Sequence, residues 1–179
     1  MNLIPCEIRS HLVSFLFEQF EGKKASYEGV TVSSVRFLPS SSMASFLYEL
    51  VEYKKKRGKQ DHFLMHLTID VKKNFSYSGL IYTDCRGVKE KLMLPEEKVK
   101  TFNNLLEDIF RIALVFHTKG CVNSGMSVMS ALEKFASEYS LEENGMEIEN
   151  LRQLYYREKK TNLCSRLQFQ SSNRVANYC

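Results

Sequence analysis

The sequence is short of the residues that mark special classes of protein. It has no tryptophan, three prolines and eight glycines in 179 residues. So little proline and glycine excludes a collagen-like or low-complexity chain. No run of about 18 uncharged apolar residues occurs, which excludes a transmembrane helix of the usual length. The five cysteines, Cys6, Cys85, Cys121, Cys164 and Cys179, are an odd number with no C-x-x-C pair among them. A disulfide framework is therefore not expected; reduced thiols in a cytoplasmic protein are. The opening MNLIPCEIRSHLVSFLF lacks a basic n-region, and Glu7, Arg9 and His11 interrupt its apolar residues, so we do not read it as a signal peptide. No Gly-rich phosphate loop, G-x-S-x-G or H-E-x-x-H is present.

What remains is ordinary globular composition, 44% hydrophobic and 26% charged, which excludes a disordered chain. The length fits one domain, or one domain with a small appendage. The net charge of +4 is unevenly spread. Arg152, Arg157, Lys159, Lys160, Arg166 and Arg174 face only Glu158 in the last 29 residues. A second basic run, Lys54, Lys55, Lys56 and Arg57, is followed by Lys59. Between Glu133 and Glu149 six glutamates stand against Lys134. Such asymmetry suits an anionic partner, although cations at helix ends also answer the helix dipole.

Periodicity divides the chain into elements. A helix is expected from Pro5 to Phe20, with Ile8, Leu12, Phe15, Leu16 and Phe20 at helical spacing. An extended segment follows from Tyr27 to Phe37, rich in β-branched residues. Ser40, Ser41 and Ser42 offer an N-cap for a second helix from Met43 to Arg57, closed by Gly58. Strict alternation of Phe63, Met65, Leu67, Ile69 and Val71 predicts a strand. Tyr77 to Cys85 and Val88 to Leu94 read as a hairpin about Arg86 and Gly87. Pro95, Glu96 and Glu97 start a helix predicted to run to about His117 and to end by Gly120. Ser124 is expected to cap a helix from Met126 to Tyr139, and Asn144 and Gly145 to separate it from a last helix over Glu147 to Lys160. The expected fold is α+β: an antiparallel sheet of three or four strands packed on helices, with an α-helical C-terminal third. Residues 1–160 form a single domain with a helical subregion at 96–160, and 161–179 a loosely held basic tail.

Four constellations invite chemical readings. His62 and His66 have a metal-like spacing, but on a strand they stand about 13 Å apart, too far for one zinc ion. His117 and Cys121 would face each other on a continuous helix as a nucleophile and base, an arrangement that Gly120 is expected to interrupt. Asp70 and Asp84 lie on neighbouring strands of unknown register, where solvated acids are the commoner outcome. No catalytic residue, metal or cofactor is therefore assigned, and the chain is read as non-enzymatic.

The fourth constellation is the last helix. With Ile148, Leu151, Leu154 and Tyr155 inward, Arg152, Gln153, Tyr156, Arg157, Lys159 and Lys160 fall on the other side. A helix presenting these side chains suits a nucleic-acid groove or its phosphates, with Lys54, Lys55, Lys56 and Arg57 as a second patch. Two alternatives stand beside it. One is a plain amphipathic helix closing the core. The other is a protein–protein interaction module or homodimer using the acidic 133–149 segment or a sheet edge, with no nucleic-acid role. The opening IPCEIRSHLVSFLFEQFEG and the ending MSALEKFASEYSLEENGMEIENLRQLYYREKK also resemble small uncharacterised accessory proteins of prophages and integrated mobile elements in gut anaerobic bacteria. That resemblance implies an accessory role in the life of such an element and transfers no site residues.

Overall fold

The computed structural model describes residues 2–27, 30–50, 63–69, 80–83, 89–92 and 94–161. The protein is α+β. It divides into two compact units, residues 1–104 and 105–179, the boundary falling within one helix.

The first unit is built on a four-stranded sheet in the order β1-β4-β3-β2. Its opening strand, β1 (Asn2–Ile8), takes the place of the first residues, Pro5 to Ile8, of the expected first helix. Ile4 and Ile8, four apart, satisfy a helical spacing, but with Cys6 between them they satisfy a strand spacing as well, and all three are buried. Pro5 is tolerated because β1 lies at the edge of the sheet, where a missing backbone donor is least costly. Burial pushes the Cys6 thiol from its ordinary 9.0 up to about 12, with the neighbouring Glu7 adding to the shift.

Helix α1 (Ser10–Gln19) buries Leu12, Val13, Phe15 and Leu16, then ends where Phe20 N donates to Leu16 O. The chain passes directly into β2 (Glu21–Tyr27), which pairs antiparallel with β3 (Val30–Phe37). That turn is tight enough to require glycine. A Cβ on Gly22 would lie 2.7 Å from both the carbonyl oxygen and a ring carbon of Phe17. β3 is buried on both faces, through Val32, Ser34, Val35 and Phe37, and Ser34 Oγ donates to Lys23 O.

Beyond β3, Ser41 Oγ accepts from Ala44 N at 3.1 Å and caps α2 (Ser42–Leu50), as the serine run predicts. β4 (Phe63–Ile69) forms where the alternation places it. It pairs antiparallel with β3 and parallel with β1, so the sheet is mixed and the expectation of an antiparallel one is corrected. The parallel pair is made by β1, whose apolar spacing also fits a helix. β5 (Leu80–Thr83) and β6 (Lys89–Leu92) form the expected hairpin as a separate two-stranded sheet.

Helix α3 (Glu96–Asn123) begins after Pro95 with Glu96 and Glu97 in its first turn. Within the first unit its Asn103 is the main polar tie. Asn103 Oδ1 accepts from Arg9 N at 3.1 Å, while Nδ2 donates to Glu7 O at 2.8 Å and Val99 O at 3.0 Å. Arg9 supplies no side-chain cap to α1. One remote, buried amide therefore satisfies the backbone on both sides of the β1–α1 junction.

The second unit is helical. α3 supplies Leu106, Phe110, Leu114 and Val115 to its core; α4 (Val128–Glu138) supplies Ala131, Leu132, Phe135 and Ala136; α5 (Ile148–Thr161) supplies Leu151, Leu154 and Tyr155. Phe110 meets Phe135 edge to face at 5.7 Å between ring centres, and Phe135 meets Tyr139 at 4.8 Å. α3 does not stop by Gly120; it continues to Asn123. A helical glycine costs about 1 kcal/mol relative to alanine but breaks nothing by itself. Ser127, not Ser124, is the cap of α4 and accepts from Ser130 N at 3.1 Å.

Three successive turns use the same device. Gly125, Ser140 and Gly145 have left-handed backbones with φ of 94°, 46° and 79°. After each, the next N–H reaches back to a carbonyl five residues earlier: Met126 to Cys121, Leu141 to Ala136, Met146 to Leu141.

Two substitutions test this account of the first unit by urea unfolding. Gly22→Ala is expected to lower stability by about 1–3 kcal/mol, because the added methyl meets backbone. Asn103→Ala is expected to cost about 2 kcal/mol by removing the buried amide's bonds to Arg9 N and the Glu7 carbonyl. An unchanged midpoint for either removes the corresponding interaction from the account.

Candidate nucleic-acid interface

The last helix turns one stripe inward. Leu151, Leu154, Tyr155 and Glu158 are buried at the spacing of a single helix face. The same geometry leaves Arg152, Gln153, Tyr156, Arg157, Lys159 and Lys160 exposed, so the structure brings the six predicted residues of α5 onto one outward surface. Lys54, Lys55, Lys56 and Arg57 lie outside the described residues, as do His62, Asp70 and Asp84. His66 sits on β4 opposite Pro5 of β1 and Ser34 of β3.

Glu158 is the residue that charge counting missed. In the sequence it offsets one cation of the basic end. In the structure it points inward, and Arg111 Nη1 donates to its Oε1 at 2.8 Å. Arg111 Nε donates in turn to Glu107 Oε1 at 3.0 Å. The signal was available: Glu158 follows Leu154 by four and Leu151 by seven, on the apolar stripe.

The six outward side chains are not equally available. Arg152 grips Glu149 through two bonds, Nε to Oε2 at 2.9 Å and Nη2 to Oε1 at 2.8 Å. This hydrogen-bonded pair raises the Arg152 pKa and lowers that of Glu149 below its ordinary value of 4.5. Arg152 therefore meets solvent with the Glu149 carboxylate already on its guanidinium. Lys159 Nζ lies 6.0 Å from the centre of the Tyr155 ring, and Arg157 Nε lies 3.9 Å from Glu158 Oε1. Both groups keep an exposed side. Tyr156 is half exposed and packs edge to face on Tyr155 at 5.3 Å.

Acidic groups gather elsewhere in this unit. An open depression of about 360 Å³ is lined by Glu133, Ala136, Ser137, Ser140, Glu142 and Glu143. It belongs to α4 and to the short 3-10 turn at Glu142–Asn144. The connection from Tyr139 to Glu147 is longer than a simple helix-turn-helix turn of about three or four residues.

Among the described residues, no group of three or more His, Cys, Asp or Glu side chains has metal-holding geometry. No helix among them is long and apolar enough to cross a membrane. No protein-family model, curated protein or solved structure matches the chain.

The buried ion group makes a direct prediction. Glu158→Ala removes one of the two carboxylates around a largely buried guanidinium and is expected to cost about 3 kcal/mol. Chemical denaturation followed by helical circular dichroism reads this. A loss under about 0.5 kcal/mol, the scale of an exposed pair, would show that the pair is effectively solvated.

Proposed function

We propose that the protein binds nucleic acid weakly, contacting the phosphates of duplex DNA through the outward face of α5, without catalysing a reaction on it. The observation that carries this reading is the inward turn of Glu158, which leaves Arg157, Lys159 and Lys160 as neighbouring exposed cations at the helix end. Tyr156 and Gln153 add a ring and an amide to the same surface, suited to backbone or base-edge contact. The acidic depression belongs to α4 and the 3-10 turn, so the basic end of α5 is a separate patch. A cytoplasmic accessory role in a bacterial prophage or mobile element fits such a surface and the resemblance of the chain's two ends.

A second reading, contact with another protein or a second copy of the chain, draws on Phe116, which is 66% exposed, and on exposed Met129. It needs none of the α5 cations.

Salt titration separates the two. Three phosphate contacts at a slope of about −0.9 each imply that affinity falls about fortyfold between about 50 and about 200 mM salt. In filter binding, Arg157→Ala/Lys159→Ala/Lys160→Ala is expected to abolish most of that slope. Arg152→Ala should change it little, because Glu149 already neutralises this arginine. Glu149→Gln frees the guanidinium and should steepen the slope by about 0.9. Equal binding by the triple variant and the unmodified chain overturns the α5 interface. Concentration-dependent sedimentation without DNA binding favours the second reading.

A further inference from the structure

We infer that Cys121 is a modification site, a thiol that exchanges with low-molecular-weight disulfides with His117 as its base. The site follows from the continuation of α3 through Gly120, which places residues four apart on one face. Cys121 Sγ lies 3.5 Å from His117 Nε2. On the other side of the ring, His117 Nδ1 lies 4.0 Å from Glu138 Oε2 of α4. Phe135 meets the imidazole edge to face at 5.2 Å. A nucleophile, a base and, 4.0 Å beyond the base, a carboxylate thus follow one another, the order in which such groups assist proton removal from a thiol. Cys121 is partly exposed, whereas Cys6 is buried and held protonated by its surroundings.

The helix end shapes the electrostatics in two ways. Carbonyls at a helix C-terminus favour a positive imidazolium and oppose a thiolate. At this end the carbonyl of Cys121 itself accepts from Ser124 Oγ at 2.8 Å, Ser124 N at 3.2 Å and Met126 N at 3.0 Å. Those three donors occupy the carbonyl of the residue that carries the sulfur.

The step is a simple exchange. The Cys121 thiol passes its proton to His117 Nε2, and the sulfur attacks one sulfur of a disulfide RS–SR. The S–S bond breaks as the Cys121 Sγ–SR bond forms. The departing RS⁻ takes the proton from the imidazolium and leaves as RSH. Cys121 is oxidised to a mixed disulfide, and one half of the reagent is reduced.

The test uses the full chain with oxidised glutathione, quenched by acid and read by peptide mass spectrometry, so that Cys121 is scored separately from the other thiols. Cys121 is expected to be modified readily and Cys6 not at all while the chain is folded. His117→Gln should slow the Cys121 rate by about threefold or more, a modest factor because added basicity and lost nucleophilicity partly cancel. Glu138→Gln, at an exposed position, repeats the test without disturbing the core and should slow the same rate by less. A Cys121 rate unchanged in both variants, or no modification of Cys121 in the folded chain, overturns the inference.

Discussion

Arg111 is the charge around which the helical unit is arranged. Its guanidinium is largely removed from water and lies between two carboxylates, Glu107 on its own helix and Glu158 on α5. A buried pair of this kind adds little net stability over apolar residues of the same volume, because desolvation consumes most of the attraction. Its value is directional. The Glu158–Arg111 bond and the buried stripe of Leu151, Leu154 and Tyr155 select the same rotation of α5. That rotation decides which residues meet solvent, and it turns the Glu158 carboxylate inward toward Arg111 while leaving it 3.9 Å from Arg157 Nε.

The outward face is further sorted by short-range pairing. Arg152 and Glu149 sit three apart near the start of α5, where an acid also answers the helix dipole, and they close on each other. Lys159 leans over Tyr155 one turn back. The positive potential of α5 is thereby concentrated at its C-terminal end, where cations are intrinsically favoured. The gradient along α5, neutral at its first turn and basic at its last, comes from local chemistry within one helix.

Much of this was legible in the sequence, and what was not has identifiable causes. β4 was legible because five apolar residues in strict alternation fit no other element. The Ser40–Ser42 run and Pro95 marked helix starts through the chemistry of capping. β1 was hidden because Ile4 and Ile8 fit two periods at once, and because Pro5 suits both a helix start and an edge strand. The mixed sheet was lost with it. Gly120 misled by its usual role as a stop; the stop is Gly125, recognisable only by its left-handed backbone. The six outward residues of α5 follow from a 3.6-residue period. Their unequal availability does not, because it depends on the Arg152–Glu149 fork and on Arg111, which lies 47 residues before its partner Glu158. The His117–Cys121 pair is visible as a spacing, and the continuation of α3 through Gly120 brings the two side chains together.

The repeated left-handed turns at Gly125, Ser140 and Gly145 have a consequence for how this region tolerates change. In each, one hydrogen bond counts back a fixed number of residues. In the middle one, the residue that donates it, Leu141, is wholly buried. Surface loops usually accept insertions readily. Here an inserted residue would break the count and draw Leu141 out of the apolar interior, while a changed side chain at Glu142 or Glu143 would disturb neither. The connection between α4 and α5 therefore behaves as a ruler: permissive in composition, strict in length.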